Sequence, residues 1–291
     1  MKNLILIVFL LIATTAFASD LFRSSNKLSS PAMKYELKYN LTKNKKFTLT
    51  VETTGNQIIE QCGENVEAKI NIRGKYIFNV LDIDTEGNMK VGVEYKDRSF
   101  LLDHPMGPLK TDYSPLLGSK INFSISPEGY TSGFEGFDDL PPINRELKGV
   151  MTKDDHTKTF RNMLPVLPGA PKGIGESWTE STTIEDNNEV KNITSTYTLL
   201  EDIKIDGYNC LKIKIQKDIK VSGISEQHGM EIERELEGEG ESIVYFAYKE
   251  GMILKIEDLI SLEGVMRAGD KTIPISTESS TKTVVSFSTI Q

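Results

Sequence analysis

The sequence predicts a mainly β protein of the α+β class, in which long antiparallel strands form a curved sheet or incomplete barrel around a short helical insert. Three observations support this. Apolar and polar residues alternate with period two over most of the chain, Glu-Gly turns recur between alternating arms, and residues 138–178 lack the strand pattern. Because strands of this kind have one apolar face that must be covered, we expect the sheet to bend around the insert.

The first eighteen residues have the layout of a secretory signal peptide. Lys2 precedes an apolar run from Leu4 to Ile12, and small residues stand at Ala16 and Ala18. We expect cleavage after Ala18 and an exported protein, periplasmic or extracellular, whose residues 19–32 form a flexible tether. No later stretch is apolar enough to cross a membrane, so no transmembrane segment is predicted after cleavage.

Two β halves flank the insert, an N-terminal half at 33–137 and a C-terminal half at 179–291. Three places in these halves have an alternating arm, a Glu-Gly pair and a second alternating arm, with turn glycines at Gly87, Gly129 and Gly251. Glycine tolerates the positive φ of tight turns, so these places predict antiparallel hairpins. A first strand is predicted from Met33, with one face formed by Tyr35, Leu37 and Tyr39.

The insert at 138–178 predicts two short helices. The first follows Pro141 and Pro142 and has apolar residues at helical spacing, namely Ile143, Leu147 and Val150. The second begins with Asp154 or Asp155 as its cap and places on one stripe Phe160, Met163 and Leu164. Helices this short are marginal in isolation, so we expect both to pack on the sheet.

The charge of the chain argues against nucleic acid as a partner. There are 34 Lys and Arg against 42 Asp and Glu, which gives a net charge of −8, and no dense basic stripe is present. An acidic surface repels phosphate backbones. Lysines 212, 214, 217 and 220 alternate with apolar residues, and glutamates at the same period follow nearby, which predicts a solvated face with cross-strand ion pairs.

No catalytic or metal-binding constellation is visible in the sequence. The histidines at positions 104, 156 and 228 lack metal-ligand spacing. The acidic segment from Asp82 has Val93 where a calcium loop requires Glu, so it predicts a hairpin tip. No Gly-x-Ser-x-Gly elbow is present. We therefore predict a non-enzymatic protein with no metal and no cofactor.

The mature chain has two cysteines, Cys62 and Cys210, one in each half. An exported protein permits a disulfide between them, which would close a loop of about 150 residues and stabilise the fold by about 4–5 kcal/mol. The alternative is two separate buried thiols, each a small apolar core residue. The sequence leaves both alternatives open.

A Leu-Pro, Pro, Gly-Glu-Ser-Trp stretch opens the second half, at Leu167, Pro168, Pro171, Gly175, Glu176, Ser177 and Trp178. With the long strands around it, this stretch resembles a group of uncharacterised bacterial secreted proteins and lipoproteins. The resemblance implies an incomplete β-barrel or clam-like sheet that holds helices, similar to the periplasmic lipoprotein carriers of the Lol type. The chain departs from the lipoproteins because no cysteine stands next to the predicted cleavage site.

These features together predict an exported protein that binds a hydrophobic ligand, such as a lipid, an acyl chain or a peptide, in a cavity of the sheet. The predicted ligand contacts are Phe160, Leu164 and Trp178. For Trp178 the alternative is a packing role, with its indole N–H on a carbonyl. The alternative function is a structural or adhesive envelope protein with a filled core and functional surface loops. The oligomeric state is left open by the sequence.

Overall fold

The computed structural model describes residues 33–61, 63–145, 149–161, 163–186, 188–227 and 230–287. The predicted signal peptide and tether, Cys62 and His228 lie outside these residues. The elements, in chain order, are β1 (Lys34–Tyr35), β2 (Lys46–Gln61), β3 (Glu64–Ile83), β4 (Met89–Asp103), β5 (Leu109–Thr111), a 3₁₀ turn (Ser114–Leu116), β6 (Lys120–Ile125), β7 (Thr131–Glu135), β8 (Asn144–Arg145), β9 (Gly149–Val150), α1 (Lys153–Arg161), β10 (Lys172–Gly173), β11 (Ser177–Asp186), β12 (Glu189–Ile205), β13 (Tyr208–Gln227), β14 (Met230–Ala247), β15 (Met252–Ala268) and β16 (Lys271–Phe287).

One 12-stranded antiparallel sheet dominates the structure, and this confirms the predicted fold class. Its strands follow the order β11-β12-β13-β14-β15-β16-β2-β3-β4-β6-β7, with β5 added beside β4. The sheet is open, because no pairing joins β11 to β7 among the described residues. The two halves of the chain meet where β16 pairs with β2, from Ile275 opposite Ile59 to Phe287 opposite Phe47.

One face of the sheet, here called the inner face, holds the main hydrophobic core. Strands from both halves contribute to it, and its largest fully buried side chains include aromatic residues at Phe47, Phe78, Phe123 and Phe246. The opposite face bears charged residues that pair across strands, such as Lys214 with Glu241 at 2.6 Å. The sheet therefore has the predicted combination of one apolar and one solvated face.

The three predicted hairpins are confirmed. Gly87 lies in the turn between β3 and β4, Gly129 between β6 and β7, and Gly251 between β14 and β15. Their φ values are +88°, +100° and +66°, in the region that favours glycine. The acidic tip near Gly87 is held by Asp84, whose carboxylate accepts hydrogen bonds from the backbone N–H groups of Glu86 and Asn88.

The insert contains one of the two predicted helices. The second predicted helix is α1, and Phe160 on it is fully buried against the sheet, as expected. The helix ends at Arg161, however, so Met163 and Leu164 of the predicted stripe lie beyond it. The first predicted helix is wrong. Asn144 and Arg145 are extended and pair with Val150 and Gly149, so this segment is a small two-stranded ladder. The ladder is extended by a hydrogen bond from Met151 N to Ile143 O at 2.7 Å, and the Ile143 side chain is buried beside it. Leu147 lies outside the described residues.

The cap of α1 also differs from the prediction. Thr152, which precedes the helix, exchanges hydrogen bonds with Asp155: Asp155 N donates to Thr152 Oγ1 at 3.2 Å, and Thr152 N donates to Asp155 Oδ2 at 2.7 Å. This is the reciprocal arrangement of a capping box, so Asp155 is its third helical residue and not the cap.

The segment at 36–41 is not the strand predicted from Met33. Only Lys34 and Tyr35 pair, with Gly173 and Lys172, and the following residues form no ladder in the described part of the chain. Three side chains from this segment nevertheless enter the core, namely Leu37, Tyr39 and Leu41. We call residues 34–41 the N-terminal strap.

The strap connects the two halves through its backbone. Tyr39 N donates to Pro127 O at 2.8 Å, and Asn40 N donates to Gly251 O at 3.2 Å. The Tyr39 hydroxyl donates to Pro165 O in the insert at 2.9 Å. Hairpins from both halves and the insert are therefore held by one short segment.

None of the helices in the described residues is both long and apolar enough to cross a membrane.

Candidate functional site

A β-bulge in β4 turns two polar side chains toward the inner face. Opposite β3, the pairing changes from Lys75–Asp97 to Tyr76–Tyr95, so Lys96 is an extra residue without a partner. Without this residue, strict alternation would place Tyr95 inside and Arg98 outside. The bulge brings both to the inner face, where Arg98 lies opposite the buried Gly74. Bulges commonly redirect a side chain in this way next to functional sites.

Aromatic residues surround the Arg98 guanidinium. Its Cζ lies 4.7 Å from the centre of the Tyr113 ring, the geometry of a cation–π contact. The Tyr76 ring lies over Gly74, so close that a Cβ on that glycine would be 2.7 Å from the Tyr76 hydroxyl oxygen. The rings of Tyr76 and Tyr95 are in edge contact, with centroids 5.5 Å apart. Three tyrosines therefore line the site.

Arg98 has an unsatisfied, buried donor. The residue as a whole is half-buried, but its Nη1 atom is shielded from solvent and has no hydrogen-bond partner. No carboxylate of the described residues forms an ion pair with it. Burying an unpaired charge costs several kcal/mol, so an arrangement of this kind indicates either an ordered water or a ligand that completes the site.

The other charged groups beside the site do not neutralise Arg98. Arg145 and Asp155 form a bidentate ion pair with each other, with nitrogen–oxygen distances of 3.2 and 2.9 Å. His156 is buried, and burial together with the nearby Arg98 cation lowers its pKa to about 4, so it is neutral at pH 7. Its Nδ1 lies 3.2 Å from the Tyr95 hydroxyl oxygen. The site therefore has a net positive charge.

An apolar strip runs along the inner face from Arg98. We call it the inner strip and define it by four half-buried side chains, Val51, Ile72, Phe100 and Leu109. Phe100 follows Arg98 by two residues on β4 and lies opposite Ile72, and Val51 lies opposite Gly74. Part of each side chain stays accessible, whereas the neighbouring Ile70 and Leu102 are fully buried. Binding sites often combine apolar walls with a few polar groups in this way.

Phe160, the first predicted ligand contact, lies at the closed end of this site. Its ring contacts those of Tyr76 and Tyr95, with centroids 5.5 and 5.9 Å apart, and also those of Phe123 and Phe137. The side chain has no exposed surface. The core under α1 is thus filled with aromatic rings, and the accessible surface begins beyond Tyr76, on the side of Arg98.

Leu164 and Trp178, the other two predicted contacts, are half-buried against the main core. Trp178 stacks on Tyr197, with ring centroids 4.9 Å apart, and its indole N–H donates to Val166 O at 3.4 Å. Phe160 belongs to this same core, although among the described residues no ring contact joins Trp178 to Phe160. Their role in ligand binding stays a prediction.

The Gly-Glu-Ser-Trp stretch has a structural role in this chain. Gly175 has a φ of +86°, which favours glycine. The Glu176 carboxylate accepts a hydrogen bond from Gly173 N at 3.0 Å and lies 3.2 Å from the Lys34 ammonium. It thereby supports the ladder between the N-terminal strap and β10.

Cys210 is a fully buried thiol whose sulfur lies 3.7 Å from Tyr208 O. Burial raises its pKa to about 11, so the thiol is protonated near neutral pH. Its predicted partner, Cys62, lies outside the described residues, and the disulfide stays a prediction.

A groove of about 1390 Å³ crosses seven neighbouring strands, from β12 to β3 through β16 and β2. Along each strand, most of its lining residues alternate with the buried residues of the inner face, so the groove lies on the opposite face of the sheet. Its rim is acidic, with exposed carboxylates at Glu235, Glu237 and Glu263. This groove lacks a buried, unsatisfied group, so the inner strip with Arg98 is the stronger candidate site. Within the described residues, no group of three or more His, Cys, Asp and Glu residues could hold a metal ion.

Sequence reasoning did not find Arg98. The alternation in the segment around it, VEYKDRSFLL, predicts a regular strand, in which Tyr95, Asp97 and Ser99 would share a face. The local sequence has no glycine or proline that marks the bulge. A usable signal was present two residues later, because Phe100 and Leu102 continue an apolar face that is out of phase with Val91, Val93 and Tyr95.

Comparison with solved structures finds distant similarities that span most of the chain. A protein with a YmcC-like fold from Bacteroides fragilis, described as exported, is 9% identical, with 83% of this chain and 96% of that chain covered and a TM-score of 0.23. A DUF1329 family protein from Desulfovibrio piger is 11% identical, with 82% and 83% covered and a TM-score of 0.16.

A domain from Vibrio parahaemolyticus, assigned to outer-membrane lipoprotein sorting, is 12% identical, with 84% and 86% covered and a TM-score of 0.14. At these identities and scores the similarities assign no function to this chain. The comparison with curated proteins finds no match. Residues 141–253, from the insert to the end of the β14–β15 turn, match the model of DUF6263, a family of unknown function.

Proposed function

We propose that the protein is an exported, non-enzymatic binding protein that holds an acyl-chain ligand against the inner strip. The observation that supports this most is the half-buried apolar surface that Ile72, Phe100 and Val51 form together on the inner face, directly beside Arg98. The proposal of export rests on the signal-peptide pattern of residues 1–18. Phe160 would close one end of the site, and Leu164 and Trp178 stay predicted contacts of the ligand.

The proposal is tested by native mass spectrometry of the purified protein after removal of bound lipid. We expect one palmitate or one hexadecanol molecule to bind per chain. Ile72→Asp should lose both adducts, because the new carboxylate projects into the apolar strip. Asn71→Asp is the matched control: Asn71 is exposed on the opposite face, so this variant should bind as the wild type does. A wild-type protein that binds neither palmitate nor hexadecanol would contradict the proposal.

A structural or adhesive role in the cell envelope is the second candidate, and the filled aromatic core around Phe160 supports it. In this case the functional surface would be formed by loops such as residues 104–115. Crosslinking in the native envelope decides between the two candidates. A protein partner captured through this loop, together with no lipid adduct, would favour the structural role.

A further inference from the structure

The candidate site contains a positive charge that no described carboxylate compensates. Arg98 brings one positive charge to the inner face, and the donor group at Nη1 has no partner. The Asp155 carboxylate is paired with Arg145, so it does not compensate this charge. An ordered water would satisfy the Nη1 donor only, whereas a negatively charged acceptor would satisfy the donor and also compensate the charge.

The surroundings of Arg98 restrict what that acceptor can be. A carboxylate or phosphate accepts well from a guanidinium, and charge-assisted hydrogen bonds of this type are stronger than neutral ones. The Tyr76 hydroxyl lies over Gly74, the residue opposite Arg98, and can donate a further hydrogen bond to the same anion. A protein carboxylate would serve equally well, but none of the described residues forms an ion pair with Arg98.

The position of Arg98 relative to the inner strip restricts the rest of the ligand. Ile72 and Phe100 face each other one inner-face position along from Gly74 and Arg98, and Leu109 on β5 extends the apolar surface past Leu102. A molecule with its anionic end on Arg98 therefore meets apolar side chains directly beside its head. A small hydrophilic anion would leave this surface uncovered.

We infer that the site binds a single-chain anionic amphiphile, with its carboxylate or phosphate head on Arg98 and its acyl chain along the inner strip. The inference rests on the proposed function, since it assigns the head-group class to the same site. Arg98 is a specificity-determining residue in this arrangement, and Gly74 allows the Tyr76 ring to lie beside it.

The test compares two ligands that differ only in the head group. Palmitate and hexadecanol have the same chain, but only palmitate is an anion at neutral pH. We expect the wild-type protein to bind palmitate at least about tenfold more tightly than hexadecanol, as measured by competition with a fluorescent acyl probe. Arg98→Met, whose apolar side chain has a similar length, should weaken palmitate binding at least about tenfold and so remove this preference. Asn71→Asp, on the opposite face, should keep the preference of the wild type.

Two further measurements test whether the site needs an acyl chain as well as an anion, and whether it accepts a phosphate as well as a carboxylate head group. Inorganic phosphate and acetate should compete weakly or not at all, and tight binding of either ion would overturn the assignment of an amphiphile. Hexadecyl phosphate should bind with an affinity similar to that of palmitate if the site recognises anions generally.

The outcomes distinguish the inference from the proposed function. If palmitate and hexadecanol bind equally to the wild type, the head-group inference is wrong but the binding function stands. If neither binds, the proposed function fails. Should Arg98→Met not fold, Arg98→Lys retains the charge but loses the fork of donors, and the comparison of the two ligands on the wild type still decides.

Discussion

Arg98 illustrates how one residue changes the chemistry of a sheet. Lys96 has no partner on β3, and this single extra residue moves the guanidinium from the solvated face to the inner face. In the solvated position it would be one more surface cation, with negligible effect on function. The three residues that position it, Gly74, Tyr76 and Tyr113, come from β3 and from the start of the 3₁₀ turn.

His156 makes stability depend on pH. Its pKa is lowered from 6.5 to about 4 by burial and by Arg98, so the unfolded chain binds a proton before the native chain does. The contribution of neutral His156 to the free energy of unfolding is therefore fully present above about pH 6.5 and is lost as the pH decreases to about 4. The loss is up to roughly 3 kcal/mol, at about 1.4 kcal/mol per pKa unit. Urea unfolding across this range should show the loss.

His156→Asn removes the titrating group, and we expect its unfolding free energy to vary less over the same pH range. His104→Gln is the control, since His104 lies in a surface loop, and it should keep the wild-type pH dependence. An equal pH dependence in His156→Asn and the wild type would show that other groups cause the acid sensitivity.

At the scale of elements, the N-terminal strap depends on the turn at Gly251. A Cβ at this position would lie 1.5 Å from Asn40 Oδ1 and 2.8 Å from Asn40 N. Gly251 therefore allows the strap to approach the β14–β15 hairpin closely enough for the hydrogen bond from Asn40 N. The close approach, and not only the positive φ, requires glycine.

Gly251→Ala should destabilise the protein more than Gly269→Ala does. Both glycines lie in hairpin turns with positive φ, +66° and +57°, but a Cβ at Gly269 would meet nothing within 4 Å. Both variants have the same kind of backbone strain, so the difference between their losses of unfolding free energy reports the contact of residue 251 with the strap. We expect a difference of at least about 1 kcal/mol, because overpacking costs about 1–3 kcal/mol. Equal losses in chemical denaturation would show that the strap adapts without cost.

The sequence was most informative for elements with strong local patterns. Period-two alternation predicted the long strands, and glycine predicted the turns at positions 87, 129 and 251. The ladder at 144–150 and the strap were missed because their structure depends on distant partners. Tyr39, for example, finds its partners at Pro127 and Pro165, and nothing in its neighbours indicates them. The candidate site was missed for a related reason, since a bulge is defined by pairing between strands.

At the scale of the whole molecule, the pairing of β16 with β2 unites the two halves in one sheet. Thirteen consecutive residue pairs, from Ile275–Ile59 to Phe287–Phe47, join strands from opposite ends of the chain. The main core likewise includes residues of both halves, such as Phe78 and Phe246. Neither half could bury its inner face without the other.

We therefore expect the two halves to unfold together. Trp178 stacks on Tyr197 of β12, so its fluorescence reports the C-terminal half, and hydrogen exchange of the β3 amides reports the N-terminal half. Both should give the same midpoint in denaturant, as one cooperative transition requires. Separate midpoints would indicate that the halves are independent domains joined by a weak interface.

The β16–β2 pairing also determines when the protein can complete its fold. The hydroxyl groups of Thr53 and Thr281 contact each other across this seam, although 228 residues separate them in the chain. During synthesis, β2 is finished long before its partner leaves the ribosome, and its edge stays available to other chains. The growing polypeptide consequently has a prolonged aggregation-prone phase, in which a chaperone that shields the β2 edge would improve the yield of native protein.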